Sequence, residues 1–210
     1  MTAIATHLGS TLAYDALVIG GGVMGCSTAL HLARGGMRVA LVDRGALCRE
    51  ASGVNAGTLT LHMTRAALVP YAMRAWQMWM DSDKWLGMGV LATQAPGLTL
   101  AFTPGECELL TLRAQARREQ GAPIEIISPE RARQIEPGLH PGLLMAGYCE
   151  IDGYASAYLT GRAMAYALKN AGVDIFENCP AESIDSGDSG HVIHFAGSQA
   201  PLRARRIVLA

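Results

Sequence analysis

Residues 15–43 read DALVIGGGVMGCSTALHLARGGMRVALVD, and this stretch decides the fold. Asp15 to Gly20 is a short apolar run ending in glycines, the pattern of a strand buried on both faces. Ala29, Leu30, Leu32 and Ala33 then recur at helical spacing, and Gly35-Gly36 stops that helix. Arg38 to Asp43 is a second apolar strand. Strand, helix, strand in this order specifies a βαβ unit of a parallel sheet with a right-handed crossover. The turn between the first strand and the helix is Gly20-x-Gly22-x-x-Gly25. In that setting the first glycine makes the turn, the second admits a pyrophosphate to the backbone, and the third lets helix and strand pack closely. The first helical residues, Val23, Met24 and Gly25, offer an anion their N–H groups and the positive end of the helix dipole. Asp43 closes the second strand 18 positions after the last glycine, the spacing of a carboxylate that binds ribose hydroxyls. A carboxylate there repels a 2′-phosphate, so the unit is expected to bind a dinucleotide other than NADP.

Composition narrows the rest. Half of the 210 residues are hydrophobic and 17% are charged, with a net charge of −1, which fits a globular protein and gives no basic stripe for nucleic acid. The five cysteines are scattered and form no CxxC pair, so they read as reduced thiols and not as a disulfide framework or zinc site. His191 and His194 lie three apart in a strand-like run and point to opposite faces, so no metal site is expected. The apolar run from Ala16 to Ala33 is long enough to suggest a membrane span, but its four glycines favour strand, turn and helix. Residues 1–14 lack a basic region followed by an apolar one, so no secretory leader or transmembrane segment is expected. The expected location is cytoplasmic, with peripheral contact at the inner membrane left open.

Further along, residues 48–61 form a small, polar loop suited to lie against a ligand. Leu68, Tyr71, Ala72, Ala75, Trp76 and Trp79 then make one helical stripe. From about Val90 a strand at 98–102, a charged helix at 106–120 and a strand at 124–127 follow. Ser128 caps a further helix with Pro129 at its first position. After Tyr154 come a helix at 158–170 and strands at 173–176, 182–184 and 191–195, and Arg206 to Ala210 reads as the start of another strand. The expected fold is α/β: a Rossmann-like domain from residues 1–90 and 150–210, with residues 91–149 an inserted α+β part of a substrate domain. Because the sequence stops inside a strand, a missing C-terminal half or a partner chain is expected.

After the βαβ unit the sequence reads DRG at 43–45 and EASGVNAGTL at 50–59. Later come SPE at 128–130, EPGL at 136–139, IDGYA at 151–155 and RARRIVLA at 203–210. These segments resemble the D-amino-acid oxidase superfamily, especially its glycine oxidase, sarcosine oxidase and D-amino-acid dehydrogenase branch. The resemblance implies FAD as cofactor. By position it assigns Gly20, Gly22 and Gly25 to the pyrophosphate, Asp43 to the adenosine ribose and Arg44 to the side of the adenine. Ala51 and Ser52 fall to the phosphates, with Asn55 in the connecting stretch, and Ala56, Gly57 and Thr58 lie on the flavin side. Ala181 stands where the family usually has a valine whose backbone meets adenine. Asp43 stands for the commoner glutamate.

The resemblance implies oxidation of a C–N bond in an amino acid or amine by hydride transfer to flavin. The family's carboxylate-binding arginine and tyrosine belong to segments beyond Ala210, so activity of these 210 residues alone stays open. His62 is the polar candidate near the flavin, with a substrate-facing role and a packed role both open. Three other readings remain: a hydroxy-acid or glycerol-phosphate dehydrogenase of the same superfamily, a non-catalytic FAD-binding module that needs a partner, and, disfavoured by the loop at 51–58, an NAD-dependent dehydrogenase.

Overall fold

The strand, turn, helix and strand read at residues 15–43 form in that order in a computed structural model, which describes residues 14–210. Residues 1–13, on which the expectation about a secretory leader rests, lie outside the described residues. The βαβ unit consists of β1 (Ala16–Ile19), α1 (Val23–Arg34) and β2 (Val39–Val42). Next come β3 (Thr58–Leu59), α2 (Val69–Met80), the short α3 (Ser82–Leu86), β4 (Thr93–Gln94) and β5 (Gly97–Ala101). Then follow α4 (Pro104–Arg118), β6 (Ile124–Ile127), α5 (Pro129–Ile135), β7 (Met145–Cys149) and β8 (Gly153–Tyr154). The chain continues through α6 (Ala157–Asn170), β9 (Asp174–Phe176), β10 (Ala181–Gly187), β11 (Gly190–Phe195), β12 (Leu202–Ala204) and β13 (Ile207–Leu209).

The described residues divide into two compact units, one of residues up to Val54 with Thr160–Ala210, the other Asn55–Leu159. In the first, a parallel sheet has the strand order β13-β1-β2-β9. Leu17 pairs with Ile207 on one side and Ala40 on the other, so β1 is central and buried, as its unbroken apolar run requires. A second, antiparallel sheet, β10-β11-β12, belongs to the same unit. Leu17, Ala40 and Val42 share a buried cluster with Ile193 and Phe195. Burying such side chains stabilises by about 1.5–3 kcal/mol each, and this cluster fixes the sheet whose C-terminal strand ends carry the candidate site. Such strand ends are where ligands bind in open α/β sheets.

The second unit holds the antiparallel sheets β5-β7-β6 and β3-β8-β4. Leu61 and Val69 pack there with Ala114 of α4, Ile124 of β6 and Cys149 of β7. These contacts, with the pairing of β3 to β8, place residues 55–90 with the second unit, where the sequence pattern grouped them with the first. Thr103 caps α4 through a reciprocal pair: its hydroxyl accepts from Glu106 N at 3.2 Å, and the Glu106 carboxylate accepts from Thr103 N at 3.0 Å. Ser128 caps α5 with Pro129 in its first turn.

Candidate functional site

The glycine turn is held by contacts that leave no room for side chains. Gly20 has φ +111°, a conformation that side chains disfavour. A Cβ on Gly25 would lie 1.8 Å from the Gly20 carbonyl oxygen, so helix and strand touch through bare backbone. Gly22 is the N-cap of α1 and has no side chain with which to cap it. Ser52 reaches the helix start from the following loop, its hydroxyl accepting from Val23 N at 3.0 Å. Met24, next on the helix, is 71% exposed.

Asp43 ties the turn to the end of β2. One carboxylate oxygen accepts from Gly21 N at 2.5 Å and the other from Gly45 N at 2.7 Å. An ionised carboxylate has about four acceptor positions, so two backbone donors leave it capacity for sugar hydroxyls. Gly20, Gly22, Asp43, Arg44, Ala51, Ser52 and Ala181 line one cleft of about 430 Å³ in the first unit. Arg44 there forms an exposed ion pair with Glu50 at 2.5 Å, weakened by solvent and easily exchanged for another partner.

The cleft also takes in Cys48, Glu50, Cys179 and Pro180, which the motif did not single out. Glu177 supports it from outside the motif, its carboxylate accepting from Leu47 N at 2.7 Å. Cys48 and Glu50 sit in the small, polar loop after β2, a signal that extends the site. Glu177 carries none, because 130 positions separate it from Leu47.

Asn55, Ala56, Gly57 and Thr58 belong to the second unit. Asn55 Oδ1 accepts from Gly57 N at 2.8 Å. Gly57 has φ +69°, and a Cβ on it would lie 1.8 Å from the Ala155 carbonyl oxygen. Thr58 opens β3, opposite Tyr154.

In the same unit a buried carboxylate organises the surroundings of His62. Asp152 is 5% exposed. It accepts from Leu61 N at 2.9 Å and from the Thr60 hydroxyl at 2.8 Å. His62 Nε2 donates to the Gly97 carbonyl at 3.2 Å and lies 3.9 Å from Asp152 Oδ2. Its ring also lines a cavity of about 170 Å³ with Arg113 and Arg117. Burial and the Asp152 carboxylate push the Cys149 thiol up to about 12, so it stays protonated at neutral pH. Asp152→Ala is expected to destabilise the protein by about 1–3 kcal/mol, since Leu61 N loses its buried acceptor. Chemical denaturation checks this, and an unchanged midpoint would refute the bracing role.

All five thiols are free, and four of them are buried. Among the described residues no group of histidines, cysteines and carboxylates is arranged to hold a metal ion. Nor is any helix among them long and apolar enough to cross a membrane.

The chain is similar to known proteins. The family described as DAO, FAD dependent oxidoreductase, matches residues 15–210. A glycine oxidase of Geobacillus kaustophilus is 30% identical over 205 residues, which cover 94% of this chain and 54% of that protein. One subunit of an opine oxidase from Rhizobium meliloti is 28% identical, over 93% of this chain and 55% of that one. The crystal structure of glycine oxidase from Geobacillus kaustophilus superposes with a TM-score of 0.83 at 29% identity, over 95% of this chain and 55% of that one. The chain thus spans about half the length of these relatives.

Proposed function

Because the chain belongs to the DAO family of FAD-dependent oxidoreductases, we propose that it supplies the FAD-binding half of an enzyme that oxidises the C–N bond of an amino acid or secondary amine. The observation that carries this reading is the cleft where the glycine turn, the Ser52 loop and the Asp43 carboxylate converge. Its donors and acceptors suit the ADP half of FAD. Backbone amides at the start of α1 face the diphosphate, and Asp43 has acceptor positions for the ribose. FAD, when bound, supplies the hydride acceptor.

The chain's own residues bind and orient. Gly20, Gly22 and Gly25 keep the backbone open to the diphosphate, with the Met24 amide behind it and Ala51 and Ser52, whose hydroxyl holds the Val23 amide, closing the loop side. Arg44 leaves Glu50 to flank the adenine, and the Ala181 backbone faces it. Asn55, Ala56, Gly57 and Thr58 serve the flavin side. The carbonyl of Gly97 and the carboxylate of Asp152 engage His62, which supports a packing role for it over contact with substrate. The residues that grip the substrate come from a further polypeptide segment, continuous with this one or carried by a partner chain. The Rhizobium meliloti relative, named as one subunit of its oxidase, supports a multi-chain arrangement.

The test is turnover with an artificial electron acceptor, using the protein joined to or co-expressed with such a segment. Glycine, sarcosine or D-amino acids are expected to be oxidised and glycerol phosphate and lactate not, with KM unchanged in His62→Gln. Oxidation of the hydroxy compounds alone would overturn the amine assignment, and a large rise in KM would restore a substrate contact for His62.

A further inference from the structure

Two thiols lie directly behind the glycine turn. Cys26 sits in the first turn of α1 and is fully buried, and Cys48 in the following loop is 4% exposed. Their sulfurs are 3.9 Å apart. Both are directed at one backbone atom, the carbonyl oxygen of Gly21, from Cys26 at 3.2 Å and from Cys48 at 3.6 Å. That carbonyl also accepts from Cys48 N at 2.9 Å. Cys48 holds the left-handed φ of +51°, unusual for a residue with a side chain, and it lines the nucleotide cleft. A solute in the cleft therefore meets Cys48 first, with Cys26 behind it.

We propose that Cys26 and Cys48 form a disulfide on exposure to a hydroperoxide, and that this bond and an adenine nucleotide in the cleft oppose one another. In the first step the Cys48 sulfur attacks the peroxide. An S–O bond forms, the O–O bond breaks, and the alcohol (water, from hydrogen peroxide) leaves with the thiol proton. In the second step the Cys26 thiol attacks the Cys48 sulfenic acid, the S–S bond forms and water leaves. Two thiols are oxidised by two electrons and one hydroperoxide is reduced. The order of attack follows from the hydrogen bond between the thiols, which lowers the Cys48 thiol and, with burial, raises that of Cys26.

Closing 3.9 Å to a disulfide of about 2.05 Å draws the loop that carries Cys48 towards α1. Gly21 O loses its contacts with the two thiols, and the turn between Asp43 and Ser52 is reset. A nucleotide that needs the open turn then binds less tightly, and by reciprocity a bound nucleotide resists the closure. Formation of the bond rests on thiol geometry alone, and its antagonism with nucleotide rests on the reading of the cleft above.

The test uses flavin-free protein with hydrogen peroxide, followed by non-reducing peptide mapping and titration with ADP. A Cys26–Cys48 linkage is expected, reversed by dithiothreitol, slowed by ADP and absent in Cys48→Ser. It is expected to form as readily in Cys107→Ser. The oxidised protein is expected to bind ADP on the order of tenfold more weakly. No linkage, or accumulation of sulfinic acid on Cys48 in its place, would overturn the pairing. A linkage with unchanged ADP affinity would overturn the antagonism. Failure of the reduced protein to bind ADP would overturn the antagonism and the cleft reading together, with the mapping still deciding the pairing.

Discussion

Gly25→Ala is expected to abolish measurable FAD binding and to lower the stability of the first unit. The added Cβ would stand 1.8 Å from the Gly20 carbonyl oxygen and 3.3 Å from the Ala210 Cβ. The nearer contact is with backbone, which has no rotamer to change, so α1 must lift from β1 or the turn must open. Overpacking of this kind costs about 1–3 kcal/mol in stability. The effect on binding is larger, because the helix amides move with the helix. Losing two hydrogen bonds to a charged diphosphate, at about 1.5–3 kcal/mol each, weakens binding by at least about a hundredfold. Quenching of flavin fluorescence on binding, read beside the melting temperature, separates the two effects. Affinity like that of the unmodified protein would show that the turn does not hold the diphosphate.

Asp43→Ala comes next in size. It removes the acceptor that Gly21 N and Gly45 N share, and with it the acceptor for the ribose. Each backbone donor left without a partner costs about 1–3 kcal/mol if water cannot reach it. The turn then loses its tie to β2 as the cofactor loses a contact. FAD affinity is expected to fall by about ten- to a hundredfold, with a smaller loss in Asp43→Asn, which keeps one acceptor oxygen. Equal affinity in Asp43→Ala would remove the ribose role and leave only a structural one.

The βαβ unit is readable from sequence because its signals coincide. Two unbroken apolar strands, a helical apolar pattern and glycines at fixed offsets have one common solution. The cap at Ser128-Pro129 and the helix under the stripe from Leu68 to Trp79 are readable because capping and helix periodicity are local, but the stripe is not one packed face, since Leu68 and Tyr71 are exposed. β7 is not. Its sequence, MAGYC, has no β-branched residue and no alternation, and it is a strand because β5 and β6 pair with it on both sides. The boundary at Val54 is hidden for a similar reason. Residues 55–90 are assigned by tertiary packing, through Leu61 and Val69 against α4 and β6, and no composition change marks it.

Within the site, the glycines and Asp43 are legible from spacing. The pairing of Arg44 with Glu50, the support from Glu177 and the two thiols behind Gly21 are not, since each depends on contacts that spacing does not encode. His62 stands out by residue type and place in the chain. Its ties to Gly97 and Asp152 reflect how β5 and the turn before β8 approach the residues after β3, which requires coordinates.

The most direct measurement is calorimetric titration of the flavin-free protein with FAD, repeated with ADP present. One molecule of FAD is predicted to bind per chain, ADP to compete for the same site, and both to be lost in Gly25→Ala. Absence of binding, indifference to ADP, or full affinity in Gly25→Ala would contradict a diphosphate held at the start of α1.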